Sequence, residues 1–102
     1  MIDPIKKEEW CKALESGEYK QGRGTLRTFD NEWCCLGVWY EVNGGEWVEG
    51  PGKYVVASGQ SALLFDRCAF GLEYKTASKL ANMNDTERLT FPQIAAWIRE
   101  NL

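Results

Sequence analysis

The sequence contains no histidine among its 102 residues. Histidine is the usual general base near neutral pH and the commonest metal ligand in proteins. Its absence excludes Ser-His-Asp and Cys-His catalytic groups as well as every histidine-based zinc site. We therefore expect no metal, no cofactor and no conventional hydrolase chemistry.

The chain also lacks long apolar runs. Its longest apolar stretches, residues 33–40 and 62–65, are far shorter than the roughly 20 residues that a membrane-spanning helix needs. The first nine residues are charged and do not form a secretory signal. These patterns predict a cytoplasmic protein that does not engage a membrane.

The length and charge limit the remaining classes. A chain of 102 residues can bury one hydrophobic core, so we expect a single compact domain over residues 1–102. The formal net charge of -3 argues against a protein that coats nucleic acid. Nucleic acid is therefore not an expected partner.

The four cysteines do not form a zinc-binding pattern, because no Cys-x-x-Cys pair is present. Each stands beside apolar residues, and a reduced thiol packs as a small hydrophobe. Cys68, flanked by acidic and basic neighbours, is the remaining candidate for a thiol enzyme. We expect all four to be core residues and the protein to have no catalytic residue. The cysteines are Cys11, Cys34, Cys35 and Cys68.

Helix signals stand near both ends of the chain. Asp3 and Pro4 are typical of a helix start, and Gly17 is typical of a cap after a helix that ends near Ser16. A second helix is predicted from residue 76, stopping at a turn over residues 82–85. Thr90 and Gln93 form a capping-box pattern before the last helix. Its apolar stripe consists of Phe91, Ile94, Ala95, Ile98 and Leu102.

The middle of the chain is patterned as turns and short strands. Asp30 and Asn31 form a turn signal. The spacing of apolar residues over 33–42 does not distinguish a helix from a strand. The residues that follow this run resemble a helix cap and favour a short helix. The alternative is a strand paired with residues 25–29. Extended segments are predicted at residues 18–29, 47–48 and 53–57. The expected class is α+β, with a small mixed or antiparallel sheet and helices at the N- and C-terminal ends.

Basic and acidic residues are separated along the chain. Residues 19–29 contain no acidic residue, and residues 30–50 contain no basic one. In one interpretation residues 20–24 form an anion-binding loop, and Tyr19 with a tryptophan stacks on a base. In the other, the basic strand simply pairs with the acidic segment. The candidate ligand-binding residues are Tyr19, Lys20, Gln21, Arg23 and Arg27.

Trp47 differs from the other four tryptophans because it lies in a glycine-framed acidic segment, residues 44–50. Exposed tryptophan and tyrosine contribute much of the binding energy at interfaces, while packing is the alternative role for Trp47. The other four tryptophans are predicted to be core or half-buried, and the abundance of aromatics also favours a homodimer. The candidate partner-binding residues are Trp47, Glu46, Glu49 and Tyr54.

Three segments carry a resemblance to a known group of proteins. They are residues 10–21 (WCKALESGEYKQ), continued by 22–26 (GRGTL); residues 34–38 (CCLGV); and residues 80–85 (LANMND), followed by 90–95 (TFPQIA). Together they resemble a W-x-x-A-L-x-S-G-x-Y-x-Q, C-C-L-G-V and late N-D pattern. Small uncharacterised proteins encoded by bacteriophages and prophages share this pattern. The resemblance covers about half the chain at its two ends, whereas residues 42–71 match no pattern.

The resemblance implies a phage accessory protein that acts in the host cytosol. That class includes inhibitors of host defences and proteins that sequester signalling nucleotides. We therefore expect a non-enzymatic protein that binds and inhibits a host macromolecule, with a host protein as partner. The alternatives are a binder of a phosphate-bearing nucleotide and a cysteine-dependent enzyme.

Overall fold

A computed structural model describes residues 2–23, 26–50, 53–56 and 72–102. Within these ranges four helices and five short strands confirm the α+β class, with helices at both ends. In chain order the elements are α1 (Pro4–Ser16), β1 (Lys20–Gln21), β2 (Arg27–Thr28), β3 (Glu32–Trp33), α2 (Cys35–Val42), β4 (Trp47–Gly50), β5 (Lys53–Val56), α3 (Tyr74–Asp85) and α4 (Phe91–Asn101).

The predicted ends of the first and last helices are confirmed. The Asp3 carboxylate accepts a hydrogen bond from the Ile5 amide at 2.8 Å, and Gly17 ends α1 with a φ of 80°. At α4, Thr90 and Gln93 form the reciprocal capping box. Side chains at the helix ends thus satisfy amides that the helices leave unpaired.

The apolar run of residues 33–42 divides between a strand and a helix. The helix prediction is confirmed from Cys35 onward. The alternative pairing also forms, because Trp33 lies in β3 and pairs antiparallel with Arg27 across the predicted turn. Cys34 stands between the two elements and caps α2, its Sγ accepting from the Gly37 amide at 3.4 Å.

The helix predicted from residue 76 forms as α3, but its predicted end at a turn over residues 82–85 is wrong, because α3 continues through Asp85. Asn84 is fully buried, and its amide group donates to the Gly22 carbonyl at 2.9 Å. This long-range contact keeps the Asn84 side chain away from its own backbone, where it would favour a turn.

The helices build the hydrophobic core. α1 packs against α4 and α2, and α2 packs against α3. The rings of Trp10 and Trp39 lie 4.6 Å apart, and Trp10 Nε1 donates to the Cys35 carbonyl at 2.9 Å. The core prediction is confirmed for Trp10, Trp33 and Trp39, and Trp97 is half-buried against the core.

Three cysteines are buried in this core, as predicted: Cys11, Cys34 and Cys35. The Cys11 thiol donates to the Ala95 carbonyl at 3.6 Å, and burial raises the pKa of that thiol. A thiol with a raised pKa is a poor nucleophile near neutral pH. Cys68, the thiol-enzyme candidate, lies outside the described residues.

The five strands form one mixed sheet in the order β1-β3-β2-β5-β4. β1 runs parallel to β3, and the other described pairs are antiparallel. The register places Arg27 beside both Trp33 and Tyr54, and it places Glu49 beside Tyr54. The sheet therefore brings the basic and acidic segments together.

An ion-pair group links the two terminal helices on the surface. Arg99 of α4 donates to both oxygens of Glu8 at 3.0 and 3.4 Å and also pairs with Glu15. The hydrogen bond from Arg99 lowers the pKa of Glu8 below its ordinary value of 4.5. The folded protein therefore holds Glu8 ionised more firmly than the unfolded chain does.

This lowered pKa predicts an acid-dependent loss of stability. The contribution of the Glu8 carboxylate is complete above its unfolded-state pKa and is lost as the pH falls through the folded-state pKa. Glu8→Gln should therefore be less stable than wild type at neutral pH, and this difference in stability should shrink as the pH falls below the ordinary pKa of a glutamate and close once Glu8 is protonated in the folded protein. Urea unfolding of both proteins over a pH series measures the difference. A difference that stays constant into acid would contradict the assignment.

Candidate functional site

The sheet register gathers one arginine and three aromatic rings on a single face. Cross-strand partners point to the same side of a sheet, and Arg27 pairs with Trp33 on one side and Tyr54 on the other. Trp47 comes from the neighbouring hairpin strand β4. We call these four residues, Arg27, Trp33, Trp47 and Tyr54, the arginine–aromatic cluster.

The guanidinium of Arg27 lies among the three rings. Its Cζ is 4.2 Å from the ring centroid of Tyr54, 4.5 Å from that of Trp33 and 5.6 Å from that of Trp47. These distances are within the range of cation–π attraction. Arg27 Nε and Nη2 also donate to Asn31 Oδ1 at 3.3 and 2.9 Å. Contacts within the protein thus hold the arginine from several sides.

Edge-to-face contacts between rings extend the cluster. Trp33 meets Trp47 with centroids 5.6 Å apart and Tyr19 with centroids 5.0 Å apart. Phe29 meets Tyr54 at 5.1 Å. Aromatic pairs of this geometry attract beyond the effect of burial alone, so the rings fix one another's orientation.

Helix α2 anchors Trp47 at the edge of the sheet. The Trp47 ring packs on Tyr40 with centroids 4.8 Å apart, and its Nε1 donates to the Glu41 carboxylate at 2.8 Å. The Tyr40 hydroxyl donates to the Glu46 carbonyl at 2.7 Å and accepts from the Glu46 amide at 3.1 Å. These bonds hold the acidic segment before β4 in place and show that Trp47 packs within the fold, while its contact with a partner stays a prediction.

The cluster is partly open to solvent. Trp33 is buried, whereas Arg27, Trp47 and Tyr54 are half-buried. Phe29 beside them keeps 44% of its surface exposed. The result is a partly exposed surface of aromatic rings beside a positioned guanidinium.

Acidic groups surround this surface. Burial is the main cause of the raised pKa of the Tyr19 hydroxyl, and the negative charge of Glu41 adds to the rise while Arg27 opposes it. Tyr19 therefore lies within the electrostatic reach of both charged groups. Glu46 and Glu49, at the two sides of Trp47 in the sequence, are exposed.

The five candidate ligand-binding residues separate in the structure. Tyr19 and Arg27 join the cluster, while Lys20 pairs with Glu32 at 3.3 Å across the β1–β3 pairing. Gln21 Nε2 donates to the Leu89 carbonyl at 2.7 Å. Arg23 is exposed. The pairing of Lys20 favours the interpretation in which the basic strand meets the acidic segment.

The backbone of the proposed anion-binding loop is also engaged within the fold. The Gly22 amide donates to the Trp33 carbonyl at 2.7 Å, so it does not point at an open site. Gly24 lies outside the described residues. The anion-binding loop of residues 20–24 stays a prediction.

The candidate partner-binding residues come together with the arginine. Trp47 and Tyr54 belong to the cluster, and Glu49 is the cross-strand neighbour of Tyr54. Sequence reasoning missed that Trp33 and Asn31 hold the same arginine. The turn at residues 30–31 was the available signal, because an antiparallel pairing across it places Trp33 opposite Arg27.

Part of the chain matches a protein family model. Residues 1–50 match the Domain of unknown function DUF8296. The matched range runs from α1 to the end of β4 and so includes Arg27, Trp33 and Trp47. No curated protein and no solved structure matched the chain.

The described ranges contain neither a metal-binding group nor a membrane-spanning helix. Among those residues, no group of three cysteine or carboxylate side chains has the geometry to hold a metal ion. None of the four described helices is long and apolar enough to span a membrane.

Proposed function

We propose that this protein is a non-enzymatic binding module that engages a partner protein through the arginine–aromatic cluster. The observation that carries the proposal is the Arg27 guanidinium stacked among three rings and fixed by Asn31. Tryptophan, tyrosine and arginine dominate the binding energy of protein interfaces. Side chains already ordered in the free protein lose little entropy on binding.

The resemblance to phage-encoded proteins supports a setting for this binding. A phage accessory protein in the host cytosol would inhibit a host macromolecule such as a defence component. The cluster lies next to segments that carry the resemblance, since Tyr19 belongs to the first of them and contacts Trp33. The same rings would alternatively bind a second copy of this chain and form a homodimer. The molar mass of the purified chain in solution tests this alternative.

A phosphate-bearing nucleotide is the second candidate ligand. The half-buried rings beside Arg27 favour it, because aromatic faces stack on bases and arginine binds phosphate. Lys20 and the Gly22 amide, however, are already paired within the fold. The partner-protein proposal therefore rests on more of the observed geometry.

The proposal is tested by replacing Trp47 with alanine and by comparing this variant with the same replacement at Trp97. Wild type, Trp47→Ala and Trp97→Ala are used to capture partners from bacterial cytosol, followed by mass spectrometry of proteins and small molecules. Trp97 is also half-buried but lies on α4, away from the cluster. We expect Trp47→Ala to weaken capture of one protein by about 30-fold, equivalent to about 2 kcal/mol at a central interface residue.

The Trp97→Ala variant should retain that protein. Circular dichroism of both variants checks that they fold. Equal capture by wild type and Trp47→Ala would overturn the proposal. Recovery of a nucleotide instead of a protein, with a matching rise in thermal stability on adding it, would favour the second candidate.

A further inference from the structure

Among the described side chains, the arginine–aromatic cluster and its surroundings carry more negative than positive charge. Arg27 is its one cation among the described side chains, and its guanidinium already stacks on rings and donates to Asn31. Three carboxylates flank the rings. Glu41 accepts from Trp47, and Glu46 and Glu49 are exposed.

The exposed carboxylates keep their charge available to a partner. Among the described side chains, the ion pairs join Lys6 to Glu9, Lys20 to Glu32 and Arg99 to two carboxylates of α1. Neither Glu46 nor Glu49 takes part in them. Counting the described side chains of this face, an anionic partner would meet more negative than positive charge, and like charges oppose association.

The rings themselves have a geometry that suits a cation. The Arg27 guanidinium already lies within cation–π distance of Trp33, Trp47 and Tyr54. Trp47 and Tyr54 each keep part of their surface open to solvent, and the faces of aromatic rings carry negative charge density that attracts cations. A second cationic side chain placed there would gain ring contact and carboxylate pairing together.

We infer, on the basis of the proposed binding function, that the partner presents a basic segment whose arginine or lysine side chains pack on Trp47 and Tyr54 and pair with Glu46 and Glu49. Complementary charge of this kind selects the partner and speeds association. The acidic segment of residues 44–50 and the rings of the cluster then form one docking surface.

The probe for this inference is a labelled peptide of repeated arginine, glycine and serine, with a second peptide in which glutamate replaces arginine. Fluorescence anisotropy measures the binding of each peptide at physiological ionic strength. The double variant Glu46→Gln/Glu49→Gln removes the charges of the surface. The matched control Glu87→Gln/Glu100→Gln removes the same net charge from exposed positions outside the cluster.

We expect the arginine peptide to bind wild type and the glutamate peptide not to bind. The surface double variant should weaken binding by about fivefold, as two exposed ion pairs allow, and the control should bind as wild type does. Equal weakening by both double variants would overturn the inference, because bulk charge would then explain the binding.

The peptide and capture experiments distinguish an error in the basic-partner inference from an error in the proposed function. Preference for the glutamate peptide, lost in Trp47→Ala, would overturn the basic-partner inference and leave the cluster as the binding surface. A captured partner that binds Trp47→Ala as well as wild type would remove the proposed function itself.

Discussion

Replacing Gly37 with alanine is expected to destabilise the fold strongly, even though alanine is the better helix former by about 1 kcal/mol. Gly37 lies inside α2, where the helix meets the backbone before β2. A Cβ at this position would stand 2.1 Å from the Leu26 carbonyl oxygen and 2.9 Å from the carbonyl carbon. Because backbone cannot swing aside as a side chain can, we expect a loss of about 3 kcal/mol or more. Urea unfolding followed by circular dichroism measures it.

The contact at Gly37 fixes how α2 meets the sheet. The Cys34 amide donates to the same Leu26 carbonyl at 3.1 Å, so displacing that carbonyl also disturbs the start of the helix. A loss of 3 kcal/mol is a large part of the roughly 5–15 kcal/mol that stabilises a domain. The variant should therefore be partly unfolded or aggregated at ordinary temperature.

Gly44→Ala is the matched control. Gly44 has a φ of 79°, and a Cβ there would have no neighbour within 4 Å. The cost is then the left-handed backbone alone, about 1–2 kcal/mol. If Gly37→Ala proved as stable as wild type, or more stable than Gly44→Ala, the close approach of α2 to Leu26 would be refuted.

The helix ends could be predicted from sequence because their signals are local. Asp3 and Gly17 around α1, and the box of Thr90 and Gln93 at α4, each act within one turn of the helix they limit. The end of α3 could not be predicted in this way. Asn84 is a common turn residue, but it lies inside α3, and its side chain bonds to the Gly22 carbonyl, a partner distant in sequence that no local pattern indicates.

The cluster could be predicted only in part, because it too depends on contacts between residues that are distant in the sequence. Tyr19, Arg27, Trp47 and Tyr54 were recognisable as candidates by residue type and local charge. Their assembly depends on the strand order, which places β2 between β3 and β5. A basic segment and an acidic segment that look like two sites in the sequence thus become one surface.

The segments that carry the resemblance also meet in space. Trp10, from the first segment, donates to the carbonyl of Cys35 in the second. Gln21, at the end of the first, donates to Asn84 in the third at 3.0 Å. These residues support the core, and the partly exposed rings of the cluster lie on the face that the core positions.

The buried amide of Asn84 should be nearly as sensitive as Gly37. Asn84 is 0% exposed, and its Nδ2 donates to the Gly22 carbonyl at 2.9 Å and to Asp85 Oδ1 at 2.8 Å. Asn84→Leu keeps the number of side-chain heavy atoms, although leucine is larger, and it leaves the Gly22 carbonyl and one Gln21 donor without this partner. At about 1–3 kcal/mol for each orphaned buried group, we expect a loss of about 3 kcal/mol and a fall in Tm of about 12–20 °C.

A double-mutant cycle separates the lost hydrogen bond from a packing effect. Gln21→Met removes the donor that faces Asn84, so Gln21→Met/Asn84→Leu should cost less than the sum of the two single variants. Asn82→Leu, at an exposed position on the same helix, should change stability by no more than about 0.5 kcal/mol. Strict additivity in the cycle would mean that the Gln21 and Asn84 side chains are not coupled. If the two substitutions prove to be coupled, the hydrogen bond between Gln21 and Asn84 links β1 to α3. It then helps to position the strand that follows α1 and leads toward the cluster.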